Sequence, residues 1–378
     1  MSREIRFGII GLGLMGREFA SAAARWIHLT NLDVRPVIVG VCDANPKAID
    51  WFRQSVPTIQ HVASDYRELL SKDDIDAIYC AVPHNLHAQF YTDIIRAGKH
   101  LLGEKPFGID LAANEEINQV IAQHQQVLVR CSSELPFYPG GIAIIRALLA
   151  KSFGQIIEAE CGLLHSSDLN PNKPINWKRM IEFNGEYGCM GDLGMHAVHV
   201  PLRFGWFPQQ INAQLAKIVR ERPDNSGRMV PCLTWDNATI YGQVEQGEHR
   251  FPIIFQTKRI APGETNTWYL KVFGTERSMS FSTKYPRTLW QMDYQPGGRQ
   301  AWQQIDLGYD SAYPTITGGI FEFGFTDTIL QMWAAFCDEL AHGRAGMRQP
   351  FYCATPEEAH QSHLIFTEAL KAGSAGSK

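Results

Sequence analysis

The chain has 378 residues, too many for one ordinary hydrophobic core, and its 45% hydrophobic and 20% charged composition is that of a globular protein with two domains. A net charge of −4 supplies no basic face for nucleic acid or for an anionic membrane surface. The eight cysteines (Cys42, Cys80, Cys131, Cys161, Cys189, Cys232, Cys337 and Cys353) form no C-x-x-C pair and no tight metal spacing. They read as reduced, mostly buried thiols of a cytoplasmic protein.

Arg3 and Glu4 lead straight into an apolar run, which leaves no room for a signal peptide, and no run is long enough to span a bilayer. Ile5–Ile10 reads as a buried strand, Met15–Arg25 as a helix and Val37–Cys42 as a second strand. Ala77–Ala81 and His100–Gly103 are further strands with a helix, Leu86–Ala97, between them. Helix Leu111–Gln123 and strand Val127–Val129 follow. Such alternation implies crossover connections and a parallel sheet covered on both faces. The pattern changes after about Arg130. Helix Gly140–Lys151 precedes longer strand-like runs at Ile156–Leu164, Ala238–Val244, Trp268–Phe273 and Thr288–Met292, separated by turns such as Gln295-Pro296-Gly297-Gly298. These favour a largely antiparallel sheet and an α+β second domain. Pro223–Gly227 reads as an exposed loop, and helices Phe325–Ala341 and Pro356–Ala372 close the chain. The expected division is 1–130 and 131–378.

Gly11-Leu12-Gly13-Leu14-Met15-Gly16 has the form G-x-G-x-x-G, placed after a predicted strand and at the start of a predicted helix. In that context Gly11 permits the tight turn, Gly13 lets the backbone approach a pyrophosphate, and Gly16 lets the helix pack close to the strand. The helix N-terminus offers unpaired N–H groups to phosphate. This is the pattern of an α/β Rossmann domain. Asp43, at the end of the second strand, can accept from both adenosine ribose hydroxyls and repels a 2′-phosphate, favouring NAD over NADP. The alternative for Asp43 is a cap of the helix that starts near Pro46.

Two further motifs follow: Gly98-Lys99-His100-Leu101-Leu102-Gly103-Glu104-Lys105-Pro106 and Gly191-Asp192-Leu193-Gly194-Met195-His196. With Ala81-Val82-Pro83-His84-Asn85-Leu86-His87, their order after the glycine motif resembles the Gfo/Idh/MocA family, the glucose–fructose oxidoreductase and inositol dehydrogenase group. The resemblance covers essentially the whole chain. It implies a Rossmann domain followed by a domain with a large, mostly antiparallel open sheet, with the nicotinamide in the cleft between them. It also implies hydride transfer to or from a secondary hydroxyl of a sugar, cyclitol or related polyol. Carried over by position, Lys105, Asp192 and His196 are the catalytic set. Gly11, Gly13, Leu14, Met15, Gly16, Asp43, Ala81, Pro83, Asn85, His87, Glu104 and Lys105 are the cofactor side. A homodimer or homotetramer is implied as well, and no catalytic metal.

The residue types suit that chemistry. An imidazole can exchange the hydroxyl proton. Asp192 and His196, four apart, share a helical face. Lys105 can stabilise a developing alkoxide. Read singly, Asp192 could be a helix cap, His196 a packed histidine and Lys105 a solvated lysine. His199 stands where many family members carry aspartate, and His360 and His363 read as structural or surface residues. On the substrate side, Trp177 offers a ring face for sugar C–H groups. Lys178 and Arg179 offer cations for an anionic group, the alternative being a solvated loop. The leading expectation is an NAD-dependent dehydrogenase. An NAD-dependent glycoside hydrolase, working through transient ring oxidation and elimination, uses nearly the same residues. A non-enzymatic NAD sensor would be expected to lack Lys105 or His196, and both are present.

Overall fold

A computed structural model describes residues 2–308 and 310–375. The chain opens with β1 (Arg3–Ile10), α1 (Leu14–Ala24), β2 (Val34–Cys42), α2 (Pro46–Ser55), β3 (His61–Ala63), α3 (Tyr66–Leu70), β4 (Ala77–Cys80) and α4 (His87–Arg96). β5 (His100–Glu104), α5 (Leu111–Gln123) and β6 (Val129–Ser132) complete this part. Among the described residues six strands pair in the order β3-β2-β1-β4-β5-β6, all parallel. Ala77–Cys80 is buried throughout, as a strand covered on both faces must be. The strand order reverses between β1 and β4, so their carboxyl ends open a crevice there. The glycine motif leaves β1 at that point.

The second part holds α6 (Pro139–Leu149), β7 (Ile156–Leu164), α7 (Ile181–Asn184), α8 (Cys189–Arg203), β8 (Gln209–Ala216), β9 (Glu221–Pro223), β10 (Met229–Pro231), β11 (Asn237–Gln246) and β12 (His249–Lys258). β13 (Thr267–Gly274), β14 (Arg277–Ser282), β15 (Thr288–Asp293), β16 (Gln303–Asp306), α9 (Phe325–His342) and α10 (Pro356–Ala375) follow. Among the described residues eight strands form a second sheet, β16-β15-β14-β13-β7-β12-β11-β8. It is antiparallel except where β12 runs parallel to β7. The expected mostly antiparallel α+β arrangement is present.

Alternation puts Cys161, Leu163, Phe255, Trp268 and Leu270 on the inner face, all buried. α8 lies across that face. The indole Nε1 of Trp268 donates to the His196 carbonyl at 2.8 Å and ties the helix to the sheet. The outer face carries Tyr269, Phe273 and Trp290, partly exposed.

The last helices return to the first sheet. Trp333 of α9 stacks on Phe7 at 4.8 Å and meets Phe19 at 4.7 Å, so the sheet face beside α1 is covered by residues three hundred positions away. From α10, His363 donates to the Pro106 carbonyl at 2.7 Å and His360 meets Asn114 Oδ1 at 2.9 Å, so both histidines are structural. Several strands escaped the sequence reading. β12 is interrupted by Pro252, which reads as a breaker. Pro252 faces Gln243 of β11, and pairing with β7 begins one residue later at Ile253, where an N–H is available. Among the described residues no helix is long and apolar enough to cross a membrane. All eight cysteines are buried and unpaired.

Candidate active site

The carboxyl ends of the first sheet and the inner wall built on α8 enclose a cavity of about 800 Å³. At one end lies the glycine turn. Gly11 has φ +90°, and a Cβ there would stand 2.5 Å from the Ala81 carbonyl, so the turn presses against the β4 end. A Cβ on Gly16 would stand 2.4 Å from the Gly11 carbonyl, which keeps α1 close to the turn. Gly13 is different. It is the N-cap of α1 with no side-chain cap, and a Cβ on it would meet nothing within 4 Å. The first N–H groups of α1 therefore face an open cradle, the shape and polarity a pyrophosphate needs. Leu14 and Met15 line the cavity beside it.

Asp43 follows β2. Its Oδ2 accepts from Leu12 N and its Oδ1 from Asn45 N, both at 2.8 Å. The cap of α2 is Asn45, whose side chain accepts from Lys47 N at 3.1 Å. Asp43 is thus a brace of the glycine turn that also borders the cavity.

The turn after β4 divides its residues. Ala81 and Pro83 line the cavity, as does His84. Asn85 is exposed on the turn and stands outside the cavity lining. His87 is fully buried: its Nε2 donates to the Val82 carbonyl at 3.1 Å, and its Nδ1 accepts from Gly108 N at 3.3 Å. Burial lowers its pKa to about 3. Asn85 and His87 are corrected from cofactor contacts to parts of the turn's scaffold, because a one-turn helix directs successive side chains to different sides.

Lys105 leaves the end of β5, and its Nζ donates to the Asp192 carbonyl at 2.6 Å and to Asp192 Oδ1 at 3.3 Å. Burial opposes its charge, but the Asp192, Glu104 and Glu134 carboxylates outweigh burial and hold its pKa above the usual lysine value. Asp192 lies in the first turn of α8, whose cap is Gly188, so it caps nothing. Its Oδ1 also accepts from Lys178 Nζ at 2.8 Å, and its Oδ2 accepts from Arg259 Nη1. Burial would raise the Asp192 pKa. Lys178, Lys105 and Arg259 together hold it well below the ordinary value. His196 lines the same cavity one turn on, kept neutral by burial and by the Lys105 charge. Glu104, behind Lys105, accepts from the Tyr79 hydroxyl at 2.7 Å.

Trp177, Lys178 and Arg179 form a single 3₁₀ turn, capped by the Asn176 side chain, which accepts from Lys178 N at 3.0 Å. Trp177 and Lys178 border the cavity, and the Trp177 ring meets the His84 ring edge-on at 5.0 Å. Arg179 does not. It is fully buried, ion-paired with Asp236 and 3.5 Å from Asp168. Its expected substrate role is corrected to a structural one.

Sequence reasoning missed Arg259, which follows β12 and joins Asp192 to Asp168, the latter at 2.9 Å. It also missed His84, His165 and Glu134 in the lining. His84 lies within the Ala81–His87 motif, but no motif spacing links Arg259, His165 or Glu134 to Lys105 or Asp192; only the sheet topology does.

The site is a crevice with the shape of a dinucleotide cradle, facing a cation–carboxylate cluster. Residues 5–131 match the family model described as "Oxidoreductase family, NAD-binding Rossmann fold" (GFO_IDH_MocA). The match lies within the first, parallel-sheet part of the chain. A levoglucosan dehydrogenase of Pseudarthrobacter phenanthrenivorans is 26% identical over 230 residues, 60% of this chain and 57% of that protein. The matched stretch thus spans little more than half the length of that relative. A glycosyl hydrolase family 109 protein of Shewanella pealeana is 23% identical over 171 residues, 43% of this chain and 35% of that one. A solved levoglucosan dehydrogenase in complex with NADH and L-sorbose superposes with a TM-score of 0.87 at 21% identity, covering 99% of this chain and 98% of that one. At that identity the likeness is one of fold.

Proposed function

We propose that this protein is an NAD-dependent dehydrogenase acting on a secondary hydroxyl of a sugar, cyclitol or related polyol. The observation that carries the reading is the convergence of Lys105, Asp192 and His196 on one cavity whose other end is the open Gly13 cradle. Bound NAD would supply the hydride acceptor. Gly13 and the start of α1 would hold its pyrophosphate, and the Asp43 carboxylate supports a free ribose 2′-hydroxyl over a 2′-phosphate.

The chain's own groups then act on the substrate oxygen. Lys105, held cationic, lowers the hydroxyl pKa and stabilises the developing negative charge. Asp192 fixes the Lys105 ammonium through two bonds. His196 hydrogen-bonds from the opposite wall, and the Trp177 face packs against ring C–H groups.

The test is absorbance of NADH while protein and NAD are offered polyols, sugars and glycosides, with product analysis. Stoichiometric NADH is the expected result, and Lys105→Met is expected to lower kcat by about 10²-fold or more with NAD affinity kept. Aglycone release without net NADH would replace this reading with redox-cycling glycoside cleavage. Normal turnover in Lys105→Met would remove Lys105 from the chemistry.

A further inference from the structure

Behind His196 lies a row of polar groups that the reaction as read above does not use. Ser133 follows β6. His199 and Arg203 stand three and seven residues beyond His196, on the same face of α8. Ser133 and His199 are fully buried. The hydrogens in this row can be counted. Arg203 Nη2 lies 2.7 Å from His199 Nε2, and a guanidinium can only donate, so that nitrogen presents a lone pair. Burial and the Arg203 charge keep His199 neutral. Its single proton therefore sits on Nδ1 and is donated to Ser133 Oγ at 3.0 Å. The Ser133 hydroxyl has one other partner, His196 Nδ1 at 3.3 Å, and must donate to it. Neutral His196 then carries its proton on Nε2. Glu358 secures the far end by accepting from Arg203 Nε at 3.0 Å. Its other oxygen, 3.6 Å from His199 Nε2, is outside hydrogen-bond reach.

An imidazole N–H can donate to the substrate oxygen but cannot take a proton from it. Lys105 is already protonated, and both oxygens of Asp192 are engaged by cations. Among the other acid–base groups of the lining, which include His84, Glu104, His165 and Lys178, Glu134 is 5% exposed and sets its Oε2 3.8 Å from His196 Nδ1, beside the ring that meets the substrate. We propose that the Arg203–His199–Ser133 relay locks His196 as a hydrogen-bond donor to the reacting oxygen, and that the Glu134 carboxylate takes the hydroxyl proton. The C–H bond yields its electron pair as hydride to the nicotinamide, the O–H bond yields its proton to Glu134, and the carbon–oxygen double bond forms. Glu134 passes that proton to solvent before the next turnover.

Glu134 faces Glu104 and Lys105 from β5, Tyr79 from β4, Tyr138 after its own strand and His196 from α8. Burial, reinforced by the Glu104 charge and opposed by Lys105, moves its pKa up to about 7, suited to exchange near neutrality. Ser133 and His199 are positioning residues in this scheme.

The inference rests on the dehydrogenase reading, and its tests are separable from it. In cofactor-free protein labelled with 15N-histidine, two-bond 1H–15N correlation spectra are expected to show His196 protonated on Nε2. Ser133→Ala and His199→Phe are expected to mix its tautomers. In 13C spectra the Glu134 carboxyl is expected to titrate near 7, and titration near its ordinary 4.5 would overturn its role. Glu134→Gln is expected to lose about 10²–10⁴-fold in kcat, and with it the rise of kcat with pH through neutrality, while His196 keeps its tautomer. Glu134→Asp is expected to recover part of the loss. His196 protonated on Nδ1, or a Glu134→Gln enzyme with intact kcat and pH profile, would overturn the proposal and leave the dehydrogenase reading standing. If no polyol reduces NAD, the dehydrogenase reading fails, while the tautomer and the carboxyl titration still decide the relay.

Discussion

Lys178 and Arg179 are neighbours in sequence and opposites in environment. In a 3₁₀ turn successive side chains point about 120° apart, so one reaches the cavity and the other the interior behind it. Arg179 neutralises Asp236 and Asp168, which are themselves buried. Arg179→Met is expected to cost about 3–5 kcal/mol, since it strands buried carboxylates. Lys178→Met leaves Asp192 with Lys105 and Arg259, so its folding stability should hold within about 1 kcal/mol while KM for the substrate rises. Urea midpoints and steady-state kinetics on both variants check this, and equal midpoints for the two would refute it. The same contrast marks how far the site could be read from sequence. Lys105, Asp192 and His196 were legible because a motif carries each. Arg259 and Glu134 were not, because each enters the cavity from the end of a strand whose neighbour is fixed by topology. Asp192 itself was legible as a site residue, but not as a carboxylate saturated by three cations.

At the scale of elements, the strand–glycine turn–helix unit was the most legible part of the chain, since local sterics alone dictate it. Its glycines nevertheless do different work. Gly11 is required by the fold: φ is +90° and a Cβ would press on the Ala81 carbonyl. The fold makes no such demand of Gly13, for its φ is −71° and its Cβ direction is open, so the proposed pyrophosphate seat is what would call for a glycine there. Gly11→Ala should therefore lower stability by about 1–3 kcal/mol. Gly13→Ala should leave stability within about 0.5 kcal/mol and weaken NAD binding by at least about tenfold. Thermal melts and calorimetric NAD titration separate the two, and unchanged NAD affinity in Gly13→Ala would exclude the cradle as the pyrophosphate seat. The second sheet was less legible. Its central strand β7 was read at its observed limits, Ile156–Leu164, as a long strand-like run. Its neighbour β12 was lost to Pro252, and β8 to a polar surface pattern, QQINAQLA, that half-exposes an edge strand.

For the whole molecule, the burial that shapes the site also sets how it withstands acid. His84, His87, His100, His165, His196, His199 and His363 all have folded pKa values depressed first by burial. Between the folded and unfolded pKa the unfolded chain binds more protons, so stability is full above about 6.5 and declines as pH falls. For His87, His165 and His363, with folded values of about 3, 4 and 4, the loss between pH 6 and pH 5 amounts to roughly 3–4 kcal/mol in total. Glu134 acts with the opposite sign. Its folded pKa, about 7, lies above the unfolded one, so acidification stabilises it and offsets about one histidine. Asp168 and Asp192 have lowered values, and their contribution is lost only further down, as pH falls below the ordinary aspartate range. Melting temperature is therefore expected to fall steadily from pH 7 to pH 5, before the paired carboxylates titrate, and to drop again below pH 4. Melts at constant ionic strength across that range test it. A melting temperature flat from pH 7 to pH 5 would mean that the buried histidines are protonated within the fold, and the neutral row behind the site could not hold.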